Sequence, residues 1–217
     1  MKPITQFKWL IAVAFVAISS QALLAQTKAD VFDEKVPITW LGVDYSQTKF
    51  IGPAFKFQDK GQVTNEEFRD KYTVGWNQLF IKEQKKYDVA KYTHREAVKY
   101  AIDVTEKANA SLKKEFFSND PADFKKLTEG DIANVVKSYD FQNNEGIGLM
   151  FFVEGMSKAQ ESEGIWVTFV DMKSKTVLFT SYQTASPGGF GFTNYWMKPL
   201  LTALKNIDSN YKTWKKG

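Results

Sequence analysis

The stretch 146–155, GIGLMFFVEG, constrains this chain more than any other part of it. From Ile147 to Val153 nearly every side chain is apolar, so a strand formed here buries both of its faces. Such a strand needs cover on each side, and helices are the natural supply in a chain that also carries helical patterns. Two more strand patterns follow. Segments 164–172 (GIWVTFVDM) and 176–184 (TVLFTSYQT) flank Lys173-Ser174-Lys175, the spacing of a hairpin. The polar segment 158–163 reads as a surface loop.

Upstream, 38–45 (ITWLGVDY) has the β-branched and aromatic content of a strand, with Gly42 able to accept a bulge. Gly52-Pro53 is a break, with Phe50 and Ile51 before it and Phe55 and Phe57 after it as short edge segments. Thr64-Asn65-Glu66-Glu67 fits a capping box, and Phe68, Tyr72, Trp76, Leu79 and Phe80 recur at helical steps. This predicts a helix over 65–86, with a close backbone approach at Gly75. Residues 97–108 fit two patterns. Val98, Tyr100, Ile102 and Val104 alternate as in a strand, whereas Thr93-His94-Arg95-Glu96 and the alanines favour a helix. The β-branched residues at alternate positions favour the strand. Thr128 opens a short helix with Ile132, Val135, Val136 and Tyr139 on one face. A final helix carries Trp196, Leu200, Ala203, Leu204, Ile207, Tyr211 and Trp214, with Pro199 in its first turn or after an irregular one.

The element order β-α-β-α-β-β-β-α predicts an α/β fold, of mixed α+β character. Its single mixed sheet has about five strands with three helices packed on it. Strands joined by helices are expected parallel, and the hairpin strands antiparallel.

Residues 1–25 read as a signal peptide. Lys2 and Lys8 precede the apolar run WLIAVAFVAI, and Ala25 supplies a small residue before a cut at Gln26. The apolar run is short for a bilayer span, so no transmembrane segment is expected after cleavage. Residues 26–35 form a flexible polar lead, and 36–217 a single domain. The predicted location is outside the cytoplasm, either periplasmic or extracellular. With no cysteine in the chain, a lipid-anchored cysteine, a disulfide scaffold, a thiolate metal site and a Cys nucleophile are all excluded. Losing Lys2 and Lys8 lowers the net charge from +4 to about +2, and no groove-reading motif occurs, so nucleic acid is not an expected partner.

His94 is the only histidine and lies in a polar run without a nucleophile elbow, so a Ser-His-Asp triad and an ordinary zinc site are both disfavoured. No metal and no cofactor is expected. Among Asp44, Asp103, Glu154 and Asp171, which fall in or near predicted strands, Asp44 and Glu154 are the better acid candidates. Gly42 and Gly155 stand beside them and leave backbone room for a ligand. The bland reading is a carboxylate that faces water or accepts turn hydrogen bonds. The loop 186–192, SPGGFGF, is the one glycine-rich stretch. Gly188, Gly189, Phe190, Gly191, Phe192, Asn194 and Trp196 are its candidate binding residues. They form an anion nest, an exposed aromatic patch, or simply a tight strand-to-helix turn with a core anchor.

The segments ITWLGVDYSQTKFIG, SYDFQNNEGIGLMFFVEGMSK, GIWVTFVDMKSKTVLFTS and GGFGFTNYW resemble uncharacterised exported proteins of Bacteroidetes-type envelopes. More loosely, the element order is similar to the amino-terminal domain of TolB. The resemblance carries no catalytic assignment. Expected export, near-neutral charge, missing catalytic motifs and the glycine–aromatic loop point to a non-catalytic accessory or binding protein of the cell envelope, with an envelope protein or component as partner, through 186–196 and the 42–56 segment. The competing readings are a hydrolase using Asp44 and Glu154, and a small-ligand carrier with an apolar cavity.

Overall fold

The structure, a computed structural model, describes residues 25–52, 56–57, 61–112 and 115–217. The expected leader, apart from Ala25, and Phe55 lie outside the described residues. The first half of the chain runs α1 (Lys28–Val31), β1 (Ile38–Asp44), β2 (Lys49–Ile51), β3 (Lys56–Phe57) and β4 (Gly61–Gln62). Next come α2 (Asn65–Glu67), a π-helical segment (Phe68–Thr73), α3 (Val74–Lys82), α4 (Val89–Tyr92), β5 (Lys99–Tyr100) and α5 (Asp103–Ala110). The second half holds β6 (Phe117–Ser118), a 3-10 turn (Pro121–Phe124) and α6 (Glu129–Ser138). It ends with β7 (Ile147–Ser157), β8 (Ser162–Asp171), β9 (Thr176–Ala185) and α7 (Gly191–Lys216).

The fold is mixed α/β, as the sequence predicts. β7 is buried at every residue and is the axis of the sheet. On one side it pairs in parallel with β1 along its first half and with β2 along its second half. Short β5 and β6 extend those two pairs outward, also in parallel. On the other side β7 pairs antiparallel with β8, and β8 with β9 through the predicted hairpin. Asp171 closes that hairpin by accepting from the N–H groups of Lys173 and Ser174.

Both faces of the sheet are covered. One core gathers Phe68, Trp76 and Phe80 from the α2–α3 helix, Phe32 beside α1, and Trp196, Leu200 and Leu204 from α7. The other gathers Val104 of α5 and Ile132 and Val136 of α6. Phe151 and Phe152 point to opposite cores and are both fully buried. Burial of each is worth about 1.5–3 kcal/mol.

Two bulges direct the side chains. β1 carries an irregularity between Trp40 and Gly42, which sends Trp40, Val43 and Tyr45 to one core and Asp44 to the other. Asn77 and Asn109 hold the bulged backbone: each donates its amide to the Val43 carbonyl, at 2.9 Å, and accepts from the N–H of Val43 and Tyr45, respectively. The second bulge lies between Val153 and Gly155, with Glu154 as the extra residue.

Several expectations need correction. Residues 97–108 are not a strand beyond β5. They turn into α5, whose Thr105 and Asn109 bond the β1 backbone from helical positions four apart. The alternation of apolar residues is shared by the two-residue strand and the buried side of that helix. The lead 26–35 holds α1 and seats Val31 and Phe32 in the core. Ser162 and Glu163, read as surface loop, belong to β8, and Glu163 is 1% exposed. No atom lies within 4 Å of the Cβ position at Gly75, so the close approach expected there is absent. The helix predicted to reach Lys86 ends at Lys82.

Pro199 lies well inside α7 rather than in its first turn. Lacking an N–H, it leaves the carbonyl of Tyr195 without its helical donor. The Gly188 N–H fills that vacancy at 3.0 Å. The break in the helix ladder is thus what fastens the preceding loop.

Candidate functional site

The glycine-rich loop joins the end of β9 to α7, and its residues divide into two sets. Phe192 and Trp196 are core residues, 4% and 1% exposed: Phe192 stacks on Phe50 and Trp76 and tilts against Tyr72, and Trp196 meets Phe50 edge to face. Phe190 is 89% exposed, the most exposed large apolar side chain described. It caps α7 with extended backbone and no side-chain bond to the helix. Gly189 and Gly191 flank it at φ of +104° and +79°, a conformation that a Cβ would strain.

The loop is nevertheless held in place. Besides the Gly188–Tyr195 bond, Asn194 donates its side-chain amide to the Phe190 carbonyl at 3.1 Å. Gly188, Gly189, Phe190 and Asn194 line an open groove of about 440 Å³ together with Lys86, Tyr87, Lys198 and Leu201. Sequence reasoning missed Lys86, Tyr87 and Lys198, because they converge on the loop only through the packing of α7 beside the segment after α3. Gly191, Phe192 and Trp196 are outside the groove's lining.

The two candidate acids are both buried, and the glycines beside them, Gly42 and Gly155, open no ligand room. Asp44 accepts from the Ser46 N–H at 2.6 Å and from the Tyr139 hydroxyl at 2.5 Å. Burial and the Asp44 charge push the Tyr139 hydroxyl well above the ordinary tyrosine range, so it stays a donor. A Cβ at Gly42 would run into Asn77 and Thr105, so that space is already filled. Glu154 accepts from the N–H groups of Lys126 and Leu127 and from the Trp166 indole. The space at Gly155 is taken by Phe124.

Asp44 lies at the floor of a cleft of about 400 Å³ between α5 and α6, walled by Val104, Ala108, Leu112 and Val135, and Glu154 is not part of that lining. The structure therefore does not bring the two acids together in one cleft. Each fastens a bulged strand to the chain around it. Asp103 opens α5, and Asp171 closes the β8–β9 hairpin.

His94 stacks on Tyr211 with ring centres 4.2 Å apart, and its Nε2 lies 2.7 Å from Asp208. Among the described residues no serine or threonine is its hydrogen-bond partner, and its contacts with Tyr211 and Asp208 link the end of α4 to α7. The described residues contain no cluster of three or more His, Cys, Asp or Glu side chains able to hold a metal ion. No described helix is long and apolar enough to cross a membrane. Comparison with known proteins finds no family model and no curated relative that matches this sequence.

Proposed function

We propose that the protein is an exported, non-catalytic accessory protein of the cell envelope, periplasmic or extracellular, that binds a partner protein through the 186–190 loop. One observation carries this reading: Phe190 stands 89% exposed on a loop that two hydrogen bonds already order. An apolar side chain of that size gains about 1.5–3 kcal/mol when a partner buries it. A loop fixed in advance loses little further entropy on docking, so more of that gain remains as affinity. Lys86 and Lys198 border the groove, which favours a partner that offers an apolar socket for Phe190 and carboxylates around it.

The hydrolase alternative draws less support, since Asp44 and Glu154 are committed to separate structural bonds. The test is a crosslinking pull-down of the tagged protein from its own envelope extract, run beside Phe190→Ala. The reading expects a protein recovered by the parent and lost with the variant, at unchanged melting temperature. The same set of proteins recovered by both would refute it.

A further inference from the structure

β9 is the edge strand of the sheet: it pairs with β8, and among the described residues no strand occupies its other side. No backbone hydrogen bond links β9 to any described segment other than β8. Edge strands are ordinarily shielded by a charge, a proline, a bulge that turns the edge away, or a covering segment. The strand TVLFTSYQTA carries no charge, no proline and no glycine over its 10 residues, and its irregularity, a bulge at Leu178, lies near its start and leaves Phe179–Ala185 in regular register with β8. From Val177 to Gln183 its side chains are half-buried on both faces, under α6 on one and under α1 and α7 on the other. What stays open is the backbone edge. Beside it lies a groove of about 530 Å³ in which the α6 residues Gly130 and Ala133 leave space next to Val177–Thr180.

We propose that this edge pairs with the β9 edge of a second copy of the chain, antiparallel about a two-fold axis at Ser181, to make one continuous sheet across a homodimer. Three arguments favour a second copy as the occupant. First, an antiparallel pair forms about one hydrogen bond per residue pair, so an axis at Ser181, which sets the regular stretch Phe179–Gln183 of one copy against that of the other, supplies about five, and about nine when the strand ends pair too, within the range that a whole protein interface carries. Second, an uncharged strand can face itself without like-charge repulsion, which a two-fold axis would otherwise impose.

Third, the flanking charges become complementary. Thr180 and Tyr182 share the α6 face, opposite Thr168 and Trp166 of β8. With the axis at Ser181, Thr180 lies across from Tyr182 of the second copy. Glu129 lines the groove beside Thr180, and the Lys125 ammonium sits 4.3 Å from the centre of the Tyr182 ring. The axis therefore brings Glu129 of each copy toward Lys125 of the other.

Sedimentation velocity on the protein expressed from its full sequence, at about 1–100 µM, reads the assembly directly. The expected result is a species of twice the chain mass, with amide exchange across Val177–Ala185 slowing as the dimer forms. Ser181→Lys places two ammonium groups at the axis and should raise the dimer dissociation constant about tenfold or more. Glu129→Lys should weaken it too, and Glu129→Lys with Lys125→Glu should restore it. These two exposed positions keep the test informative if Ser181→Lys fails to fold. A monomer at every concentration overturns the proposal. So does a dimer that ignores the Glu129 and Lys125 exchange, or one that leaves the β9 amides unprotected.

Discussion

Glu163 is 1% exposed and faces the larger core between Met156 of β7 and Ala185 of β9. No donor reaches either carboxyl oxygen among the described residues. Burial alone pushes its carboxyl well above the ordinary value of 4.5. The native state therefore keeps a proton that the unfolded chain loses as pH rises through the ordinary glutamate range. Stability falls wherever the native state binds more protons than the unfolded one, by about 1.4 kcal/mol per pH unit for one group. The contribution of Glu163 is thus fully present below the unfolded value and is lost progressively as pH rises toward the native value.

Glu163→Gln keeps the shape and removes the titration. Urea unfolding of both proteins from pH 4 to pH 8 should give similar stability at the acid end. Above it, the variant should gain on the parent by about 1.4 kcal/mol per pH unit until the native carboxyl ionises. Parallel stability curves would show that the Glu163 carboxyl titrates alike in the folded and unfolded protein, and a variant that loses ground as pH rises would show that it is ionised and paired in the folded protein; either result would refute the reasoning.

Gly42→Ala must place a Cβ at φ +97° against Asn77 and Thr105, which both bond the β1 backbone. It should cost more than about 3 kcal/mol, read as a fall in melting temperature of about 6–12 °C, and an unchanged temperature would contradict the bulge account. Tyr139→Phe strips a hydroxyl from the fully buried Asp44. A loss of about 1.5–3 kcal/mol in urea unfolding at pH 7 is expected, and no loss would mean that the bond does not hold α6 to β1.

The sheet was legible because its strands are marked locally. The 147–153 run, the Lys173-Ser174-Lys175 turn and the caps at Thr64 and Thr128 all work within a few residues of themselves. Elements fixed by distant backbone were not legible. α5 is helical where alternation suggested a strand, because Thr105 and Asn109 serve the β1 bulge. The capping pattern at Thr93 fails for a similar reason. Arg95, buried, is taken up by the carbonyls of Val31, Val36 and Thr93, and His94 sits at positive φ as α4 ends. Within the candidate site, the glycines flagged the loop but not which aromatic leaves the core. Phe190 and Phe192 differ by two residues in sequence and by 89% against 4% in exposure, a difference set by where α7 begins. Nothing local marks Glu163, since one polar residue before an apolar strand is the ordinary start of a strand.

The placement of β7 bears on when the sheet can form. β1 and β2, which run out before residue 52, have their main partner at Ile147–Ser157. Until β7 has been synthesised, β1 and β2 have only two-residue pairings with β5 and β6. Contacts this far apart in sequence make sheet closure slow, because a long loop must be ordered before the contacts return any stabilisation. The nascent chain thus stays without its central layer for most of its length. The export proposed above requires an unfolded chain in the membrane pore, and this topology is compatible with it, because it postpones the fold that would block passage.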